Sequence, residues 1–148
     1  RCKNVITGIF GDDWLVRNLP KKSILGNTST LRRLSNEVGW STNGYKVLDY
    51  LIDNNLKIDK IMIFTDCQLW NSGYGGTGLM PKRWSEYKKI NPEAKLYLFD
   101  LSGYGNTPLL VNDKDVFFIS GWSDKIFNVL DSLESGKTAI DEIEKISF

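Results

Sequence analysis

Three short apolar runs, each bounded by polar residues and separated by helical patterns, constrain this chain more than any other feature. They are Lys60 to Thr65 (KIMIFT), Ala94 to Phe99 (AKLYLF) and Asp115 to Ile119 (DVFFI). An uninterrupted apolar run, rather than an alternation, is the pattern of a strand covered on both faces. Around these runs lie helical periodicities. Val47, Leu48, Leu51 and Ile52 fall at i, i+1, i+4 and i+5 and make one apolar face. Leu31, Leu34 and Val38 mark an earlier helix, with Asn27 or Thr28 as its expected cap and Gly39 past its end. Further helices are expected from about Lys82 to Ile90, from Asp124 to Leu133 and, beyond Gly136, from Lys137 to Ile146. Near the start, Val5 to Phe10 (VITGIF) and Trp14 to Leu19 (WLVRNL) flank the turn residues Gly11-Asp12-Asp13 and read as an antiparallel hairpin. Buried strands alternating with helices predict a doubly wound α/β fold, with a mostly parallel sheet, helices on both faces and the hairpin at one edge. No internal repeat or long linker divides the 148 residues, so residues 1–148 read as a single domain.

Composition narrows the chemistry. The chain contains no histidine, which removes the Ser-His-Asp triad, the Cys-His dyad, the HExxH zinc site and any histidine general base. Carboxylate, hydroxyl and amine chemistry remain, or binding. A net charge of +1 selects neither an acidic nor a basic partner, and the basic pairs Lys21-Lys22, Arg32-Arg33, Lys82-Arg83 and Lys88-Lys89 read as solvated faces. The two cysteines, Cys2 and Cys67, have no metal-ligand spacing. No apolar run reaches the roughly 20 residues of a membrane span, and no secretory leader is recognisable. A reducing cytoplasm is the expected compartment. Residue 1 is Arg rather than Met, so the natural start is expected to lie upstream.

In doubly wound sheets ligands bind beyond the carboxyl ends of the strands. Those ends carry Asp12-Asp13, Asp66, Asp100 with Ser102, and Ser120. The loop Ser41-Thr42-Asn43, which precedes a helix, should open on the same edge. Oxygen ligands of this kind suit a hard cation such as Mg²⁺; the same residue types also serve as helix caps and turn formers.

Two stretches carry a family resemblance. STNGYKVLDYLI (Ser41–Ile52) resembles the loop and helix of von Willebrand factor type A (vWA) domains that bear the metal-site threonine, which implies that role for Thr42. DKIMIFTDCQLW (Asp59–Trp70) resembles the vWA strand whose terminal aspartate belongs to the metal ion-dependent adhesion site, and Asp66 stands at that position. The order of elements is similar to the vWA domain of the Ro/SS-A (TROVE) ribonucleoproteins in particular. The hairpin VITGIFGDDWLVRNLP and the helix STLRRLSNEVGW resemble the family's hairpin and the helix leading to its threonine loop, and YLFDLSGYGNTP and VFFISGWSDKIFNVLDSL resemble its last two strands, long connecting loop and closing helix. The resemblance covers most of the chain. It implies a ligand-binding module, not an enzyme, that uses a divalent cation, Mg²⁺ or a similar ion, to grip an acidic group. It also implies a connection to non-coding RNA through a Ro-like ribonucleoprotein, with an acidic protein ligand as another partner and no membrane. One departure stands out. The DxSxS motif that opens a vWA metal site occurs nowhere in residues 1–148, so three of the five family ligands are not in this chain and any cation site here is expected to be weak. The resemblance further implies that the family's first, central strand, which lies between those matching VITGIF and KIMIFT, precedes Arg1.

Three other motifs have competing readings. Gly73 to Gly78 (GYGGTG) matches G-x-G-x-x-G, with Asp100 ending the next strand, and would suit a nucleotide-dependent enzyme. The six residues CQLWNS separate Asp66 from Gly73, however, whereas the fingerprint needs its first glycine directly after the strand. Ser135-Gly136-Lys137-Thr138 echoes the end of a phosphate-binding loop, but Asp131 stands where its first glycine is required. No dehydrogenase or kinase is expected. Trp14, Trp40, Trp70, Trp84 and Trp122 could stack on nucleic-acid bases; spread over five elements, they read first as packing residues.

Overall fold

A computed structural model describes residues 4–20, 23–66, 78–103, 113–121, 123 and 125–134. Within them the chain runs β1 (Gly8–Phe10), β2 (Trp14–Val16), α1 (Ile24–Val38), α2 (Tyr45–Asp53), β3 (Lys60–Thr65), α3 (Leu79–Ile90), β4 (Lys95–Asp100), β5 (Val116–Ser120) and α4 (Ile126–Glu134). β3, β4 and β5 form a parallel sheet in that order, and β1 pairs antiparallel with β2. This is the α/β architecture that the apolar runs predict. The registers Ile63↔Leu98 and Leu98↔Phe118 bring the three runs side by side.

The run of apolar residues matters because the two faces of the sheet are covered by different helices. Ile61, Ile63, Leu96 and Leu98 point into one core with Val47, Leu48 and Leu51 of α2 and Met80, Trp84 and Tyr87 of α3. Tyr97 and Phe99 point the other way, onto Ile126 and Leu130 of α4. β4, in the middle, is buried from Leu96 to Asp100, whereas β5 at the edge is only half-buried. Each fully buried large side chain contributes about 1.5–3 kcal/mol. Polar ties fix the connections. The Tyr87 hydroxyl donates to the Leu56 carbonyl (2.9 Å) and accepts from the Ile58 N–H (2.8 Å), while Asn91 Nδ2 donates to the Ile58 carbonyl (3.0 Å). These bonds pin the link between α2 and β3 to α3. At the end of α4, Glu134 accepts from Lys60 Nζ (2.5 Å) and from the Tyr97 hydroxyl.

Several boundaries differ from expectation, each for a local reason. α1 begins at Ile24, not after Asn27 or Thr28, because Ser23 is the cap: its Oγ accepts from the Gly26 N–H (3.1 Å). Asn27 Nδ2 instead reaches the Pro20 carbonyl, and Thr28 bonds back to Ile24. Ile24 and Leu25 are exposed, so the first turn carries no apolar stripe to announce it. α3 begins at Leu79 rather than Lys82, with Pro81 inside its first turn, where a missing N–H breaks no helical bond. The hairpin strands are shorter than expected, with three register pairs. Val5 and Ile6 lie outside them and are exposed. The expected helix from Lys137 to Ile146 lies outside the described residues.

The hairpin joins the rest through side chains. Phe10 and Trp14 pack on the core beneath β3 and β4, and the Trp14 and Tyr50 rings lie 6.5 Å apart. Among the described residues no ladder links the hairpin to β3, and no strand pairs with the outer edge of β3.

Candidate functional site

The carboxyl edge of the parallel sheet is where the oxygen-bearing residues collect. Asp66 follows the last residue of β3, and its half-buried carboxylate accepts from the Thr65 hydroxyl at 3.4 Å. β4 continues alongside, the Leu101 N–H donating to the Thr65 carbonyl (2.8 Å), and β5 ends one strand further, the Gly121 N–H donating to the Asp100 carbonyl (2.9 Å). Asp66, Leu101-Ser102 and Ser120-Gly121 thus stand in a row across the three strand ends.

Thr42 reaches the same edge by topology. α2 runs into the amino end of β3 through residues 54–59, so its own amino end, with Thr42 two residues before the cap Gly44, lies toward the carboxyl end of β3. Both proposed cation ligands therefore sit on one edge, Thr42 on the helix side and Asp66 on the strand side. Thr42 is half-buried, and its carbonyl accepts from the Gly44 N–H (2.8 Å).

The hairpin turn is tied to the Thr42 loop through Asp12. The Asp12 N–H donates to the Val38 carbonyl (2.6 Å), and Asp12 Oδ1 accepts from the Ser41 N–H (3.2 Å). Asn43 closes the joint: its N–H donates to the Gly11 carbonyl (3.2 Å) and its Nδ2 to the Asp12 carbonyl (3.3 Å). Gly39 is required here twice over. Its φ is +82°, which disfavours any side chain, and a Cβ would stand 1.9 Å from Asp12 Oδ2. The sequence places Gly39 after a helix but holds no sign that Asp12, 27 positions earlier, packs against it.

Other residues divide differently from the strand-end reading. Asp100 has no exposed surface, and its Oδ1 accepts from the Ser102 and Gly103 N–H groups (3.0 and 2.9 Å). That carboxylate holds the start of the loop after β4. Asp13 pairs at the surface with Lys46 (3.7 Å). Among the described residues no three Asp, Glu, Cys or His side chains gather into a metal-binding group. Thr42 and Asp66 fit a hard cation in donor type, both offering oxygen, but as two protein ligands they leave most of its shell to water. Cys67 and Gly73 to Thr77 lie outside the described residues, as does Ser135-Gly136-Lys137-Thr138; Gly78 caps α3.

The tryptophans also separate. Trp84 is buried, and its Nε1 donates to Asp113 Oδ2 (2.7 Å). Trp14 packs against Tyr50. Trp40, two residues before Thr42, is 87% exposed. Trp70 and Trp122 lie outside the described residues.

No helix of the described residues is long and apolar enough to cross a membrane. No known family profile matches the chain, and no curated protein matches it. Among solved structures it is similar to the Ro (Rsr) protein of Deinococcus radiodurans, with a TM-score of 0.68 and 13% identity over 92% of this chain. The matched part is 26% of that protein's chain, so this chain spans about a quarter of it. At such identity the likeness establishes the fold alone: an α/β domain with a parallel sheet between helices and an antiparallel hairpin beside it, like the matched part of that protein.

Proposed function

We propose that this chain is a ligand-binding module of a Ro-like RNA-binding ribonucleoprotein, without catalytic activity of its own, acting in the cytoplasm. In this reading the carboxyl edge holds a divalent cation, Mg²⁺ or Mn²⁺, through the Thr42 hydroxyl and the Asp66 carboxylate. Retained waters complete its shell, and one of them gives way to an acidic group of the partner. The observation that supports the reading is that the segments bearing Thr42 and Asp66, 24 positions apart in sequence, are led by the element order toward one edge of the sheet. The absence of histidine favours binding over hydrolytic chemistry. An RNA phosphate is the natural acidic group for such a parent, and a carboxylate-bearing protein is the other candidate.

Titration with Mn²⁺ tests this. Saturable binding is expected for the chain, weakened at least tenfold by Asp66→Ala and less by Thr42→Ala, with both variants retaining the wild-type circular dichroism. Equal affinity in the wild type and both folded variants would overturn the assignment.

A further inference from the structure

We propose that the outward face of α1, together with Arg17, is a track for the phosphodiester backbone of single-stranded RNA. The choice of RNA among polyanions rests on the reading given above; the choice of face rests on charge and needs no cation. From Trp14 to Asn36 the chain carries Arg17, Lys21, Lys22, Arg32 and Arg33 and not one acidic residue. All 18 acidic side chains lie elsewhere, so a net charge of +1 hides a strongly basic stretch in an otherwise acidic chain.

The fold puts the described part of that charge on one surface. α1 buries Leu34 and Val38, while Ser29, Arg32 and Asn36, at i, i+3 and i+7, line its opposite, exposed side. Arg33 is exposed on the flank, about 100° round the helix from Arg32. Arg17 is exposed too, and its N–H donates to the Thr7 carbonyl (2.8 Å). Three residues later the Pro20 carbonyl accepts from Asn27 Nδ2 (2.9 Å), which lays the exit of β2 beside the first turns of α1. Arg17 is therefore within about 10 Å of chain from that contact, and Asn27 is about 7.5 Å along the helix axis from Arg32. Lys46, Lys60, Arg83 and Lys88 each pair with a carboxylate. Among the described residues Arg17, Arg32 and Arg33 form no such pair. The acids near α1 stand at its far end: Glu37 in the last turn, and Asp12 and Asp13 in the hairpin turn that meets Val38. β1, against which α1 packs, is uncharged.

Arginine offers phosphate a charge and several donors at once, and Ser and Asn side chains add neutral donors, the set that positions a nucleic-acid backbone. Ile24 and Leu25 at the start of α1 are exposed as well. A lipid surface would draw on those two; a phosphodiester track draws on the line Ser29-Arg32-Asn36, which runs about two turns along the helix beyond them. The polar line with its arginines favours RNA.

Filter binding of an unstructured oligouridine to the chain, in EDTA and across a salt series, is the test. Three phosphate contacts on a single strand give a slope of log affinity against log salt near about −2, roughly 0.7 per contact. Arg32→Ala with Arg33→Ala is expected to cut that slope to about −0.7 and to weaken binding at 0.1 M salt roughly 25-fold, about fivefold per contact over the decade below 1 M. Arg32→Lys with Arg33→Lys keeps the charge and should keep the slope, and Glu37→Gln should tighten binding. Lys114→Ala with Lys125→Ala removes as much charge from the sheet side and should leave the slope unchanged. A slope untouched by loss of Arg32 and Arg33, or cut equally by loss of Lys114 and Lys125, would overturn the choice of face. Binding that EDTA abolishes would put the phosphate on a cation, which overturns the track and leaves the cation reading standing. An intact slope in a chain that binds no Mn²⁺ would do the reverse. Capture by phosphatidylglycerol vesicles that Ile24→Ser with Leu25→Ser abolishes, with no RNA binding, would make this a lipid-binding face and overturn the inference.

Discussion

The hairpin with α1 and the parallel sheet with α2, α3 and α4 are two halves built on different economies. In the sheet, almost every stabilising contact is repeated: three strands in register, two cores, and a central strand with no exposed surface from Leu96 to Phe99 beyond 1%. In the hairpin, strands of three residues are half-exposed, and a few bonds around Asp12 and Asn43 join turn, helix end and loop. Redundant packing tolerates a local loss; a single joint does not. The proposed site spans that division, because Thr42 hangs on the joint while Asp66 stands on the sheet.

The largest expected effect tests the sheet side. Leu48 is wholly buried where α2 meets β3, and Leu48→Ala should cost about 2–5 kcal/mol in urea unfolding. Loss of the hairpin alone, with the sheet intact, would reverse the ranking of the two halves. Next comes the joint. Gly39→Ala combines a left-handed Ala, costing roughly 1–2 kcal/mol, with a clash against Asp12. Amide exchange should accelerate in Gly8 to Val16 and in the Thr42 loop while β4 stays protected. Uniform acceleration would mean that the halves unfold as one. The smallest effect concerns α4. Burial alone would raise the Glu134 carboxyl, but hydrogen bonds from Lys60 and Tyr97 and the charge of Lys60 outweigh it and hold the group below the ordinary carboxylate range. A depressed folded-state value gives stability that is present above the ordinary Glu value and is lost as pH falls through the folded one. Acid titration from pH 5 downward should therefore loosen α4, a slope that Glu134→Gln flattens. An unchanged slope in that variant would assign the acid response elsewhere.

Much of the sheet side was legible in the sequence, and little of the joint was. KIMIFT predicts β3 to the residue, and the α2 stripe predicts its buried face, because burial on both sides of a strand and one side of a helix leaves a periodic trace. The start of α1 was missed because Ser23, Asn27 and Thr28 are all acceptable caps and two exposed apolar residues hide the first turn. The start of α3 was missed because Pro81 reads as a barrier, although a first turn accepts it. At the site, Thr42 and Asp66 were singled out by their surrounding motifs. The inward turn of Asp100 was not, since a strand-end aspartate looks the same whether it caps its own loop or faces a ligand. Nor was the Asp12–Gly39 contact, or the exposure of Trp40.

Among the described residues no ladder joins hairpin and sheet, and this has a mechanical meaning. Pulling β3, β4 and β5 past one another must break rows of hydrogen bonds together, so that sheet is stiff along its strands. Across the seam toward the hairpin, among the described residues, the side chains of Phe10 and Trp14 pack on the common core without a ladder. Apolar contact is non-directional, and it yields to sliding where a ladder would hold. The seam is the compliant direction of the molecule. Because the Thr42 loop is tied to the hairpin turn and Asp66 to β3, small displacements along the seam would change the spacing of Thr42 and Asp66 before they disturb either half.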